Sequence, residues 1–126
     1  MANIIDKQKE IITSLQADSR LSGFNIDDHL INEYKTSSIV IEPEGNVYKS
    51  TNENPVVIGY KFSVYLIIKT NLSSIQANRD TLDDARSYVL DNLMNVKING
   101  ETDKPSEAVS LNNRFSLYLL DIELPK

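Results

Sequence analysis

The feature that most constrains the fold is the run from Val56 to Lys69, in which apolar side chains occupy every second position. Successive side chains of a β-strand point to opposite faces, so the run predicts one long strand with an apolar face and a mixed, partly polar face. At about 3.3 Å per residue it would span on the order of 45 Å, so it needs neighbours along its length or must protrude and pair with another chain. The apolar positions are Val56, Ile58, Tyr60, Phe62, Val64, Leu66 and Ile68.

The composition limits the class of protein. Hydrophobic residues make up 40% and charged residues 25% of the 126 residues, which predicts one globular domain over residues 1–126. The net charge of -5 disfavours binding to nucleic acid or to an anionic membrane surface, because both need lysine and arginine. No apolar run of about 18 residues predicts a membrane span, and the first residues do not resemble a signal peptide. The absence of cysteine excludes disulfides and thiolate metal sites.

Two amphipathic helices are predicted, one before and one after the long strand along the chain. The first runs from about Asn3 to Ala17, with Asn3 as its N-cap and Asp6 in its first turn, where the helix dipole favours negative charge. The second runs from about Ser74 to Met94 and is capped by Ser73 or Ser74. Its apolar stripe consists of Ile75, Leu82, Ala85, Val89 and Leu93.

Further strands and turns complete the pattern. Residues 38–42 predict a strand that ends at Pro43, which has no N–H to donate to a ladder. The polar stretch 44–54 predicts either a long loop or the exposed tip of an extended hairpin. Asn99-Gly100 predicts a tight turn, and Phe115–Leu124 predicts a second long strand. Together the elements predict an α+β fold, a mainly antiparallel sheet with two α-helices packed on one face.

Two residues of the long strand have special interpretations. Gly59 indicates a bulge or a place where another backbone approaches closely. Tyr65 lies on the mixed face and is a candidate for an interface, where tyrosine is enriched.

No residue pattern indicates catalysis. His29 is the only histidine and follows Asp28, but adjacent residues on an extended chain point apart, and no nucleophile lies nearby in sequence. His29 is therefore interpreted as an exposed loop residue. The chain is predicted not to be an enzyme and to need no cofactor.

No residue pattern indicates a metal site either. Asn99, Glu101 and Asp103 alternate as in a calcium loop, but Lys104 and Ser110 occupy the positions that need glycine and glutamate. A second acidic group lies on the solvent side of the second helix beside two arginines, which already offer counter-charges. It consists of Asp80, Asp83 and Asp84.

The layout resembles that of the tail terminator proteins of long-tailed bacteriophages. The resemblance rests on an N-terminal helix with a polar break (Asn3–Ser22) and on an extended segment that leads into a polar excursion (Ser38–Pro43). It rests also on the long strand that runs directly into the second helix (Val56–Met94), and on a final strand that finishes in Ile122-Glu123-Leu124. It spans nearly the whole chain and is one of layout, so no family residue is transferred as a site.

The resemblance implies a structural virion protein that forms a ring, usually hexameric, at the head-proximal end of the tail. Such a ring ends polymerisation of the tail tube and joins the tail to the head connector, while DNA passes through its lumen without specific binding. The implied partners are further copies of the chain, the tail tube protein and a neck protein. The protein would be made in the host cytoplasm and would have no membrane partner.

In such a ring, neighbouring subunits would meet through sheet edges and loops. Two other interpretations stay open: another neck, head-completion or tail-tube subunit, or a small monomeric adaptor whose sheet binds a partner peptide. The candidate interface residues are Glu44, Tyr48, Lys49, Glu53, Lys61, Tyr65, Lys69, Glu101 and Asp103.

Overall fold

The computed structural model describes residues 3–50, 54–70, 75–103 and 115–126. These residues form a five-stranded sheet in the order β1-β2-β3-β5-β4, in which β1 pairs with β2 in parallel and the other neighbours are antiparallel. The chain is therefore α+β, as the sequence predicts. The elements are α1 (Ile4–Ala17), a 3-10 turn (Ser19–Leu21), β1 (Asn25–Asp27), β2 (Ser38–Lys49), β3 (Val56–Lys69), α2 (Ile75–Asp91), β4 (Lys97–Asp103) and β5 (Phe115–Pro125).

The predicted long strand is confirmed as β3, and it lies at the centre of the sheet. It pairs with β2 along its length, from Val56 opposite Lys49 to Ile67 opposite Ser38. On its other side it pairs with β5, from Gly59 opposite Pro125 to Lys69 opposite Phe115. The second predicted long strand, β5, is thus also confirmed.

The apolar face of β3 is buried over most of its length but not at its start. Five alternate side chains, from Tyr60 to Ile68, join a hydrophobic cluster that also contains Ile11 and Leu15 of α1 and Ala85 and Val89 of α2. The first two apolar positions differ, because the side chains of Val56 and Ile58 are 49% and 46% exposed. The predicted continuous apolar face is therefore interrupted at the register shift that leaves Ile58 without an opposed residue, and Val57, rather than Val56 or Ile58, packs against the cluster.

The mixed face of β3 is less polar than the sequence indicates. Ile67 and Val40 form a second buried cluster with Tyr34, Phe115 and Leu117, and Leu30 and Tyr65 pack against it. Segment 28–37 therefore covers the end of the sheet near Ile67. Ser63 is buried nearer the middle, whereas Lys61 is exposed.

The first helix begins as predicted. The Asn3 side chain accepts a hydrogen bond from the Asp6 N–H, and the Asp6 carboxylate accepts one from the Asn3 N–H, a reciprocal capping box. One buried polar residue of α1 connects the helix to the sheet. The amide of Gln8 donates to the carbonyl of Ile41 at 2.7 Å and to that of Asp28 at 3.0 Å.

The prediction that a strand ends at Pro43 is wrong, because β2 continues to Lys49. β1 pairs only with Ser38–Val40, so β2 lies at the edge of the sheet from Ile41 onward. The Ile41 carbonyl points away from β3 and accepts a hydrogen bond from Gln8. Backbone groups of an antiparallel strand alternate in direction, so those of Pro43 also point away from β3. The missing N–H of Pro43 therefore removes no hydrogen bond between the two strands. The stretch 44–54 is accordingly an extended hairpin, the second of its two predicted forms, as far as the structure describes it.

The tight turn predicted at Asn99-Gly100 is also wrong. Both residues lie inside β4, where the pairing with β5 shifts register between Ile98 and Gly100. A bulge inserts one extra residue into a strand, which explains why a dipeptide that favours turns can lie within β4. The chain instead turns at Asn95 after α2, with a positive φ of 56° that asparagine tolerates.

Gly59 fits both of its predicted roles. The pairing of β2 with β3 shifts between Val47 and Tyr48, opposite Gly59 and Val57, which is a bulge beside this glycine. On the β5 side, a Cβ at position 59 would lie 2.6 Å from the Leu124 carbonyl oxygen. Glycine is required here because the neighbouring backbone occupies the space of a side chain.

Replacing Gly59 by alanine is expected to lower the free energy of unfolding by about 1 to 3 kcal/mol, because a backbone oxygen has to move. Urea denaturation followed by circular dichroism measures the change. Gly23→Ala is the matched control, since a Cβ there meets nothing within 4 Å. Equal stability of the two variants would contradict the close approach.

Candidate functional site

The candidate site is a two-stranded ribbon that extends past the end of β5. We call it the arm: residues 47–49 of β2 and 56–58 of β3. The pairing of β3 with β5 begins at Gly59, and beyond it the Lys126 N–H donates to the Ile58 carbonyl at 3.0 Å. Three large apolar side chains of the arm are substantially exposed, those of Tyr48 (55%), Val56 and Ile58.

The arm exposes apolar groups on both of its faces. Directly opposed residues of an antiparallel pair share a face. Tyr48 opposes Val57 on one face, and Lys49 opposes Val56 on the other, where alternation also places Ile58. An isolated two-stranded ribbon is at most marginally stable in water, so an arm of this composition suits burial against another surface.

Lysines surround the arm. Lys49 belongs to the arm, and Lys126 donates its backbone N–H to the Ile58 carbonyl. Lys97 lines an open depression of about 390 Å³ together with Ile58 and Glu123. Of these three lysines, Lys97 lies opposite Glu123 in the pairing of β4 with β5.

Three of the predicted interface residues lie on the mixed face of the sheet. Glu44 accepts a hydrogen bond from the buried hydroxyl of Ser63 at 2.6 Å, and Asp121 lies 3.3 Å from the same oxygen. Burial raises the pKa of Tyr65, and the nearby negative charges of Glu42 and Glu44 raise it further. Lys61 is exposed beside this group, opposite Gly45 and Glu123.

The remaining predicted interface residues lie elsewhere, so the structure does not unite the set. Tyr48 and Lys49 are on the arm, and Glu53 lies outside the described residues. Lys69 is exposed at the far end of β3, about 26 Å from Lys61 at the usual rise per residue. Its backbone N–H donates to the hydroxyl of Ser37 at 2.8 Å.

The polar sequence from Glu101 to Ser106 predicts a loop, and this prediction is wrong for Glu101 and Asp103, because both lie in β4. The Glu101 carboxylate is hydrogen-bonded to the Arg86 guanidinium of α2 and accepts from the Tyr118 hydroxyl at 3.0 Å. The bond from Arg86 lowers the pKa of Glu101. Glu101 therefore connects β4 to α2 within one chain, whereas Asp103 is exposed.

His29 is exposed, as predicted, but its relation to Asp28 is not the predicted one. The chain bends here, and the His29 Nδ1 lies 2.5 Å from the Asp28 carboxylate. This hydrogen bond raises the pKa of His29 and lowers that of Asp28. Both side chains are more than 60% exposed, so water has free access to the pair.

Sequence reasoning missed a groove formed by segment 28–37. It encloses about 300 Å³ beside Ser38 and is lined by Ile31, Glu33 and Tyr34 among others. Tyr34 is buried and its hydroxyl accepts from the Ile31 N–H at 2.9 Å, whereas the Ile31 side chain is 38% exposed. The spacing of Leu30, Ile31 and Tyr34 is the one sequence signal, and it misleads, because spacings of three and four residues are typical of a helix whereas this segment is irregular.

The described residues contain no cluster of three or more histidine, cysteine, aspartate or glutamate side chains that could hold a metal ion. Within the same residues, no helix has the length and hydropathy needed to cross a membrane. No protein-family model and no curated protein matches the chain.

The Arg86–Glu101 pair is expected to stabilise the fold by about 0.5 to 1 kcal/mol near neutral pH, because it is partly exposed to water. A double-mutant cycle with Arg86→Gln and Glu101→Gln measures this coupling by urea denaturation. The pKa of Glu101 is lowered in the fold, so its contribution is present above the ordinary value of 4.5 and is lost as the pH falls below it. A coupling that persists unchanged at pH 3 would contradict the ion pair.

Proposed function

We propose that this chain is a structural subunit that assembles with copies of itself into a ring, in the manner of a phage tail terminator. The observation that carries the proposal is the arm, which exposes Tyr48, Val56 and Ile58 beyond the sheet. Apolar side chains on a ribbon without support from β5 gain stability when another subunit covers them. The arm is thus the part of this fold best suited to bind a protein surface.

We further infer that both helices cover the same face of the sheet. The larger hydrophobic cluster supports this, since it joins α1 and α2 to alternate residues of β3 and β5. The opposite face would then present the Glu44–Ser63–Asp121 group to a partner, together with Lys61 and Tyr65.

The ring would occupy the head-proximal end of a tail tube and end its polymerisation. One side would bind the last ring of tail tube protein and the other the head connector or neck protein. The net charge of -5 would suit a lumen that DNA crosses without tight contacts, since like charges repel. The protein would reside in the virion, and its role would be structural rather than enzymatic.

A second candidate is a monomeric adaptor that binds a peptide by strand addition. The observation in its favour is β4, which pairs with β5 on one side and is the last strand of the sheet in the described residues. The exposed arm would suit another neck, head-completion or tail-tube subunit equally well, and such a subunit would differ from a terminator in its partners.

Sedimentation equilibrium of the purified chain is expected to show self-association, and negative-stain micrographs are expected to show rings. The double variant Val56→Ser/Ile58→Ser should associate more weakly, because it removes exposed apolar area, and it should keep its circular dichroism spectrum. Ile5→Ser is the control, since Ile5 is 43% exposed and belongs to α1 rather than to the arm. A chain that stays monomeric at high concentration, alone and with purified tail tubes, would favour the adaptor.

A further inference from the structure

The arm and the groove of segment 28–37 lie at opposite ends of the sheet. The arm includes Ile58, whereas the groove lies beside Ser38, which pairs with Ile67 of the same long strand. At the usual rise per residue, Ile58 and Ile67 are about 30 Å apart along β3. The arm cannot reach the groove of its own chain, so any contact between them joins two molecules.

The two surfaces are complementary in their apolar residues. One face of the arm carries Val56 and Ile58, both about half exposed. The groove carries Ile31, which is 38% exposed beside the buried Tyr34. Each surface is incomplete alone, because it leaves large apolar side chains in contact with water.

The two surfaces are also complementary in charge. The face of the arm that carries Val56 and Ile58 also carries Lys49, with Lys97 and Lys126 nearby. Glu33 lines the groove together with Lys35, and Asp27 and Asp28 precede it in the chain. The pKa of Tyr34 is raised by its burial and further by the nearby negative charges of Asp27 and Glu42.

We propose that the arm of one copy docks in the groove of the next, with Val56 and Ile58 against Ile31 and Lys49 beside Glu33. This inference rests on the proposed function, because it specifies the contact between ring neighbours. The contact is heterologous, since different surfaces of the same chain meet. Repeated with a closing rotation, a heterologous contact generates a ring.

Disulfide trapping tests the contact, and the natural chain contains no cysteine to interfere. Two single variants, Ile58→Cys and Ile31→Cys, are purified, mixed and oxidised, and the products are separated without reductant. The mixed dimer is expected to form at least several-fold faster than either homodimer. Ile5→Cys replaces Ile31→Cys in the control mixture, because position 5 is similarly exposed but belongs to α1.

Two outcomes of this experiment would overturn the proposal. Preferential formation of the Ile58→Cys homodimer would indicate a two-fold contact between arms. Equal rates with the Ile31→Cys and Ile5→Cys partners would show that the groove is not a preferred docking place. Circular dichroism of each variant before oxidation verifies that it is folded.

A charge exchange provides a second, independent test. Lys49→Glu and Glu33→Lys should each weaken self-association by about two- to fivefold, the size expected for an exposed ion pair. The double variant that carries both changes should recover the natural association constant, because the pair is restored with opposite signs. An additive loss in the double variant would contradict the pairing of these residues.

The same samples separate this inference from the proposed function. Rings in micrographs without preferential Ile58–Ile31 trapping would overturn the docking mode and leave the ring intact. Trapped products that grow into open filaments would support the docking mode and contradict the ring.

Discussion

Hydrogen bonding on both sides of β3 is the constraint on which the rest of the structure depends. From Gly59 to Ile67 this strand has a neighbour on each side, and its alternate side chains fill the two hydrophobic clusters. The pairing is possible at one end because Gly59 lets the Leu124 backbone approach closely. The helices and segment 28–37 then cover surfaces that this ladder has already positioned.

The unequal lengths of the strands divide the molecule into a supported sheet and an unsupported arm. β5 ends at Pro125, so residues 56–58 of β3 keep only β2 as a strand partner. Three large apolar side chains, those of Tyr48, Val56 and Ile58, are therefore exposed at the end where backbone support is weakest. A second copy or another protein can supply that support.

The sequence predicts a helix or strand well where its apolar residues repeat regularly and where residues close in sequence determine its ends. The alternation of β3 from Tyr60 to Ile68 and the capping box of Asn3 and Asp6 depend on nearby residues alone, and both are found as predicted. Pro43 and Asn99-Gly100 mislead, because their effect depends on whether the strand lies at an edge or contains a bulge. Such features follow from strand order, which a single sequence does not contain.

The candidate site was harder to predict than the fold. Tyr48 and Lys49 were predicted as interface residues because they fall in a polar stretch, and the structure places them on the arm, whereas Glu101 is bound to Arg86 within its own chain. The groove could not be predicted, because the three-residue spacing of Ile31 and Tyr34 is typical of a helix and does not indicate an irregular segment. Tertiary contacts of this kind decide which exposed residues remain available to a partner.

The irregular outer edge of β2 has a consequence for the behaviour of the chain at high concentration. Pro43 and the two register shifts, one between Pro43 and Gly45 and one between Val47 and Tyr48, interrupt the row of backbone groups that a foreign strand would need as a template. An edge interrupted in this way disfavours stacking of copies into cross-β fibrils, even though exposed apolar side chains lie nearby.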